Sequence, residues 1–232
     1  MKKLILIEKL AAQLKLVAAE RQAAKREPAL LAARTALKRF QSERLAQTHA
    51  DLLANPNTNE AALFFLEELY GAHDLSQRDV DLERIIPTMQ KMLSYESLHT
   101  ITEAIVLDAL SERLDTAMAR VLGPAFSEGM YIAAYRTATT RQDREHQLNL
   151  VQELGDSLCK LVKIPLLSVT LKIMKGPALL AGLGDLHAFL HTGFTTFKQM
   201  RDPGKFVATI VGRERQVMAR IYDGRKEPFD VI

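Results

Sequence analysis

Six histidines and 28 acidic side chains raise a first question: do any of them share a helix face as metal ligands do? Glu96-Ser97-Leu98-His99 has the Glu-x-x-His spacing of di-iron helical bundles, because positions i and i+3 lie on one face, and Glu103 falls further along that face. His187 and His191 form an i, i+4 pair that can chelate one transition metal from a single helix. Together Glu96, His99, Glu103, His187 and His191 outline a centre for Fe, Mn or Zn, and hence a metal-dependent oxidoreductase. A di-iron bundle needs two Glu-x-x-His motifs, and this chain has one, with Asp143-Arg144-Glu145-His146 as a weaker echo. The plainer reading of Asp143 and His146 is a solvated helix start. A lone histidine such as His187 can also ligate haem, although a hydrogen-bonded, partly buried histidine accounts for it as well. The expectation is therefore no cofactor, with a metal as the alternative.

Other chemistries find less support. The one cysteine, Cys159, sits in the apolar run Leu158-Cys159-Lys160-Leu161, with no local group to activate it. No Gly-x-Ser-x-Gly elbow or Walker loop is present, and Gly182 and Gly184 lack the remainder of a dinucleotide fingerprint. Asp79, Asp81 and Glu83 suit the first turn of a helix, where acids complement the dipole. The aromatic residues Phe64, Phe65, Tyr70, Tyr131, Tyr135, Phe189, Phe194 and Phe197 could line an apolar cavity between helices. Plain core packing explains the same residues.

These groups must be positioned by helices. Gly and Pro are few, 11 and 8 in 232 residues, and between them apolar residues recur at spacings of three and four. The expected fold is an all-α multi-helix bundle with an N-terminal helical hairpin. One helix is expected over about 2–26, with a seam of Ile7, Leu10, Leu14, Val17 and Ala24. After Pro28 a second runs to about Ala54. Asn57 to Glu60 reads as a capping box, Gly71 as a helix end, and Pro87 as a kink or stop. A long helix follows over about 95–122, then others over 126–137, 140–163, from Pro165 to Gly176-Pro177, 178–191 and 206–222. The expected organisation is a basic hairpin over 1–55, a bundle over 56–224 and a loose tail over 225–232.

Two later stretches carry a family resemblance. They are Phe64-Phe65-Leu66-Glu67-Glu68-Leu69-Tyr70-Gly71, followed by Arg78-Asp79-Val80-Asp81-Leu82-Glu83-Arg84-Ile85-Ile86-Pro87. Lys175-Gly176-Pro177-Ala178 and Gly193-Phe194-Thr195-Thr196-Phe197-Lys198 look similar too. The chain over about 57–232 resembles a family of helical proteobacterial proteins with no established activity. That resemblance implies a bacterial helical protein and transfers no catalytic residue. The N-terminal hairpin lies outside it.

The composition is 47% hydrophobic and 25% charged, with a net charge of +3, which excludes a disordered or disulfide-built chain. The small net charge hides a contrast. Residues 1–56 carry +6, residues 57–120 carry −7 and residues 121–232 carry +4. The basic hairpin admits nucleic-acid binding, but interleaved glutamates favour a solvated or paired face. Charge complementarity between hairpin and acidic middle predicts that they pack together, within one chain or across a homodimer. No run reaches the ~18 apolar residues of a membrane span, so a cytoplasmic protein without membrane contact is expected. The function these features favour is a non-enzymatic protein-interaction or small-ligand-binding protein.

Overall fold

The structure is a computed structural model and describes residues 2–68 and 76–231. Among them the chain forms eleven α-helices and no strand. They are α1 (Lys2–Arg26), α2 (Pro28–Thr48), α3 (Ala50–Ala54), α4 (Asn59–Glu68), α5 (Ser76–Met92), α6 (Tyr95–Leu122), α7 (Glu128–Ala138), α8 (Arg141–Leu161), α9 (Pro165–Leu180), α10 (Gly184–Gln199) and α11 (Pro203–Tyr222). The protein is an all-α multi-helix bundle.

Local chemistry sets many of the boundaries. Ser94, Ser127, Thr140 and Asp202 accept backbone N–H groups at the starts of α6, α7, α8 and α11, satisfying donors the helix leaves over. Pro28, Pro165 and Pro203 occupy first-turn positions, where a missing N–H is harmless. Gly123 ends α6 at φ 67°, in the left-handed region, which costs glycine no steric clash.

Five boundaries differ from the sequence reading, one being the helix expected over 178–191, which is found as α10 over Gly184–Gln199. The helix expected to run from Pro28 to Ala54 is broken at His49, whose φ −117° and ψ 26° are not helical. Pro87 and Pro177 lie inside α5 and α9 rather than ending them. Both prolines are exposed, and so are Glu83 and Ile173 four residues earlier, so water can solvate the carbonyls the prolines leave unbonded. The Asn57 capping box does not form: α4 starts at Asn59, and the Asn57 side chain accepts the Arg201 N–H at 3.0 Å instead. The expected stop at Gly71 lies outside the described residues.

Three apolar cores hold the bundle. Leu30, Leu37, Met118, Tyr131 and Ile221 join α2, α6, α7 and α11. Leu52, Ala62, Phe197, Phe206 and Val211 join α3, α4, α10 and α11. Leu10, Leu14, Met89, Leu98 and Ile105 join α1, α5 and α6. The N-terminal helices lie against the body: α1 runs along α6 and α5, and α2 crosses α6. The last described residues are packed as well. Pro228 is fully buried, and Phe229 lies 6.1 Å from the Tyr131 ring and 6.5 Å from Phe40.

The charge contrast is resolved at this contact. Arg21 occupies a seam position of α1 between Val17 and Ala24 and is buried. It donates to Asp79 and to both Asp108 oxygens, at 3.0 and 2.8 Å. Arg34 of α2 pairs with Glu112, and Lys38 reaches the same carboxylate at 3.0 Å. Burial pushes the ammonium of Lys38 down, against the pull of Asp115, and pushes the carboxyl of Asp79 up, against the pull of Arg21. Basic hairpin and acidic middle thus meet within one chain.

Helices α8 and α11 pack antiparallel, because Arg215 meets Glu145 and Asn149 at one end while Gly155 meets Val207 further along. A methyl at Gly155 would sit 2.5 and 2.7 Å from the two Val207 methyls. Gly155→Ala is expected to lose about 1–3 kcal/mol by overpacking, exceeding a helix-propensity gain of at most ~1 kcal/mol. Urea unfolding followed by circular dichroism should show a lower midpoint.

Candidate ligand cavity

The five residues singled out as a metal centre do not form one. Glu96 is exposed at the start of α6, where its own backbone N–H and then the Ser94 hydroxyl hold its carboxyl below the usual range. His99 lies 3.9 Å from Glu103, which is taken by Lys9 at 2.7 Å. His187 points its Nε2 at the Leu171 carbonyl, 2.7 Å away, and stacks on His191. Among the described residues no three His, Cys, Asp or Glu side chains gather as a metal ion requires. Asp143 is held by Arg113 and Thr140. The thiol of Cys159 is pushed up by burial, so it carries little thiolate at neutral pH.

The aromatic set fares differently. Phe65, Tyr131, Tyr135, Phe189 and Phe197 line one cavity of about 290 Å³, at the small end of ligand pockets, which run to ~300–1,000 Å³. Phe64 packs one layer outside, against Phe65 and Phe189. Phe194 is buried elsewhere, beneath Lys198. Tyr70 lies outside the described residues. Phe206, not foreseen, completes the aromatic wall, stacking on Phe65 at 5.9 Å and edge-on to Phe197 at 6.2 Å.

Helices α2, α8 and α11 grade their share of this cavity from polar to apolar, while α5 and α6 add Arg78, Asp79, Asp108, Glu112 and Asp115. On α8 the lining follows Arg144, Leu148, Val151, Gly155 and Leu158, one face at spacings of four, three, four and three, with Gln147 and Leu154 beside it. From Arg144 to Leu158 that face runs about 21 Å at 1.5 Å per residue. Antiparallel α11 supplies Glu214 beside the Arg144 end, then Val211, Val207 and Phe206. Helix α2 supplies Gln41 and Arg44, and after the break at His49 the chain turns apolar with Leu52.

At the polar end Glu214 is the hub. Both its oxygens accept Arg44 Nη1, at 2.5 and 2.6 Å, and one lies 3.2 Å from His49 Nε2. Burial alone would raise this carboxyl, but the charge of Arg44 and the hydrogen bonds from His49 and Arg44 overcome it and hold it at about 2. Arg44 Nε and His49 Nδ1 are buried with no hydrogen-bond partner among the described residues. Gln41 donates to Asp115 at 3.1 Å. Burial pushes the Tyr131 and Tyr135 phenols up, against the pull of Arg44 and Arg144, so both stay protonated donors.

Arg144 is the unusual member. It is 4% exposed, and its guanidinium lies 4.3 Å over the Tyr135 ring. It donates to Thr139 at 3.3 Å, Gln147 at 2.9 Å and the Met118 sulfur at 2.9 Å. Three of its five N–H groups are thereby used, none of them on a carboxylate. Among the described residues it has no ion-pair partner, whereas buried Arg21, Arg34 and Arg44 each have one.

Residues 20–228 match the family model described as "Domain of unknown function (DUF8198)". The chain belongs to that family. The match takes in the expected resemblance over 57–232 almost entirely and extends it through α2 into α1. All of the cavity lining lies inside the matched span. No curated protein and no solved structure matches the chain.

Proposed function

We propose that this protein binds a small amphipathic anion, with its charged head at Arg144 and its apolar body against Phe65, Phe197 and Phe206. The observation that carries the reading is a buried guanidinium, with no carboxylate partner among the described residues, at one end of a cavity that Phe65, Phe197, Phe206, Val207 and Val211 make apolar at the other. An uncompensated buried charge is costly, and a ligand carboxylate would supply the missing counter-charge through charge-assisted hydrogen bonds. The Tyr131 and Tyr135 hydroxyls, which make no hydrogen bond to the described residues, are further donors at the same end. Two other cations that line the cavity are already neutralised: Lys38 faces Glu112, and Arg44 faces Glu214. Arg78, only half-buried, stands over the Phe189 ring, so Arg144 is the fully buried cavity cation with no carboxylate among the described residues and is assigned the selection of the ligand's sign.

Calorimetric titration with decanoate, decanol and decylamine tests this. Decanoate is expected to bind and decylamine not to bind. Arg144→Met keeps the apolar stem and is expected to weaken decanoate by about 1.5–3 kcal/mol, roughly 10- to 150-fold, with decanol little changed. Arg144→Lys should retain part of the affinity, because it keeps a charge without the guanidinium fork. Equal binding of the three amphiphiles, or an Arg144→Met protein that is folded and binds decanoate as the wild type does, would overturn the reading.

A further inference from the structure

Helix α9 presents an apolar ridge that the bundle leaves uncovered. Leu166, Val169, Ile173 and Leu180, at spacings of three, four and seven, are 75%, 51%, 68% and 93% exposed. Its opposite side is seated, with Leu167 and Leu171 packed into the second core and Ala178 buried. Contiguous exposed apolar surface of this kind marks a contact with something outside the molecule. From Ser157 to Gly184 the chain carries Lys160, Lys163, Lys172 and Lys175 and no acidic residue, and all four lysines are exposed.

We infer that α9 lies flat on an anionic lipid surface, its aliphatic ridge entering the headgroup boundary and its lysines meeting lipid phosphates. The pattern is that of an interfacial amphipathic helix, apolar on one side and basic at its flanks. No helix among the described residues is long and apolar enough to cross a membrane, so the contact is peripheral. Two features separate lipid from protein as the occupant. Protein interfaces are enriched in Tyr, Trp, Phe, Met and Arg and depleted of Lys, and of those five α9 has Met174 alone, beside two lysines. A second copy docked ridge to ridge would set Lys172 and Lys175 of both chains against one another, an arrangement like charges oppose.

The test is co-sedimentation of the full chain with phosphatidylcholine vesicles, with and without phosphatidylglycerol. Binding is expected only to the anionic vesicles, and added salt should release it. Ile173→Glu should weaken binding at least roughly tenfold by removing apolar insertion. Lys172→Gln and Lys175→Gln should each weaken it roughly fivefold. All three side chains are exposed, so the variants are expected to keep the wild-type circular dichroism and decanoate affinity. That separates this inference from the cavity reading. Absence of vesicle binding, equal binding to neutral vesicles, or an Ile173→Glu protein that binds normally would overturn it. So would a dimer in sedimentation velocity that Ile173→Glu dissociates, with no vesicle binding; the ridge would then belong to a second copy.

Discussion

Glu112→Gln is expected to destabilise the protein by about 3–5 kcal/mol, the range for removing one partner of a buried ion pair. Glu112 is nearly inaccessible and receives Arg34 and Lys38, with Arg21 at 3.4 Å. Glutamine fills the same space and removes only the charge, so the loss would measure electrostatics rather than a cavity. Three cations from the hairpin would then face only Asp79, Asp108 and Asp115, with Gln41 already on Asp115. Lys38, whose ammonium is already pushed down by burial, would lose its closest counter-charge. Arg113→Ala is the contrast: it breaks an ion pair of the same 2.8 Å length as Arg21–Asp108, but an exposed one worth at most ~1 kcal/mol. Urea midpoints for the two variants should differ widely. Similar midpoints would mean that the hairpin is not held by this network.

Glu214→Gln should have an effect of similar size and a distinctive pH dependence. Its carboxyl stands at about 2 in the fold against an ordinary 4.5. A depressed carboxyl stabilises the fold fully above its unfolded value and loses that contribution as pH falls through the folded one. The wild type should therefore lose about 3 kcal/mol from this group between pH ~5 and ~2. The glutamine variant leaves Arg44 buried without its carboxylate, so it should be about 3–5 kcal/mol less stable at neutral pH. It should also show a shallower acid limb, since the titrating group is gone. Unfolding free energies measured from neutral to acid pH would give converging curves. Parallel curves would contradict the assignment.

Helices were readable from periodicity because apolar spacing reports which face is buried, and Pro28 and Pro165 marked two of the starts. The breaks and continuations were harder. Nothing local marks His49 as the end of α2: its side chain turns to Glu214, 165 residues away in sequence. Pro177 was read as a stop, and Pro87 as a kink or stop, because sequence does not reveal which side of a helix faces water. The site residues were half visible. The α1 seam from Leu10 to Ala24 left a gap of seven, and Arg21 fills it. Arg34, Gln41 and Thr48 recur at seven-residue spacing on the buried face of α2. Glu214 sits between Val211 and Met218 on α11, and Arg144 continues the apolar row of Leu148, Val151 and Leu158 on α8. A charged or polar residue in a core register is the signal for each of these. Reading Arg144 as part of a solvated helix start missed it, because its neighbours Arg141 and Glu145 are indeed at the surface. The alternative metal reading failed for the opposite reason. Its i, i+3 and i, i+4 pairs are real on each helix, but α6 and α10 do not bring them into one cluster.

The cavity assignment stands or falls on where an anionic head comes to rest. A crystal structure of the protein with decanoate is predicted to place the carboxylate within hydrogen-bonding distance of the Arg144 guanidinium, with Tyr131 and Tyr135 beside it and the chain running toward Phe197 and Phe206. A carboxylate bound away from Arg144, or an alkyl chain lying outside the cavity, would contradict the account.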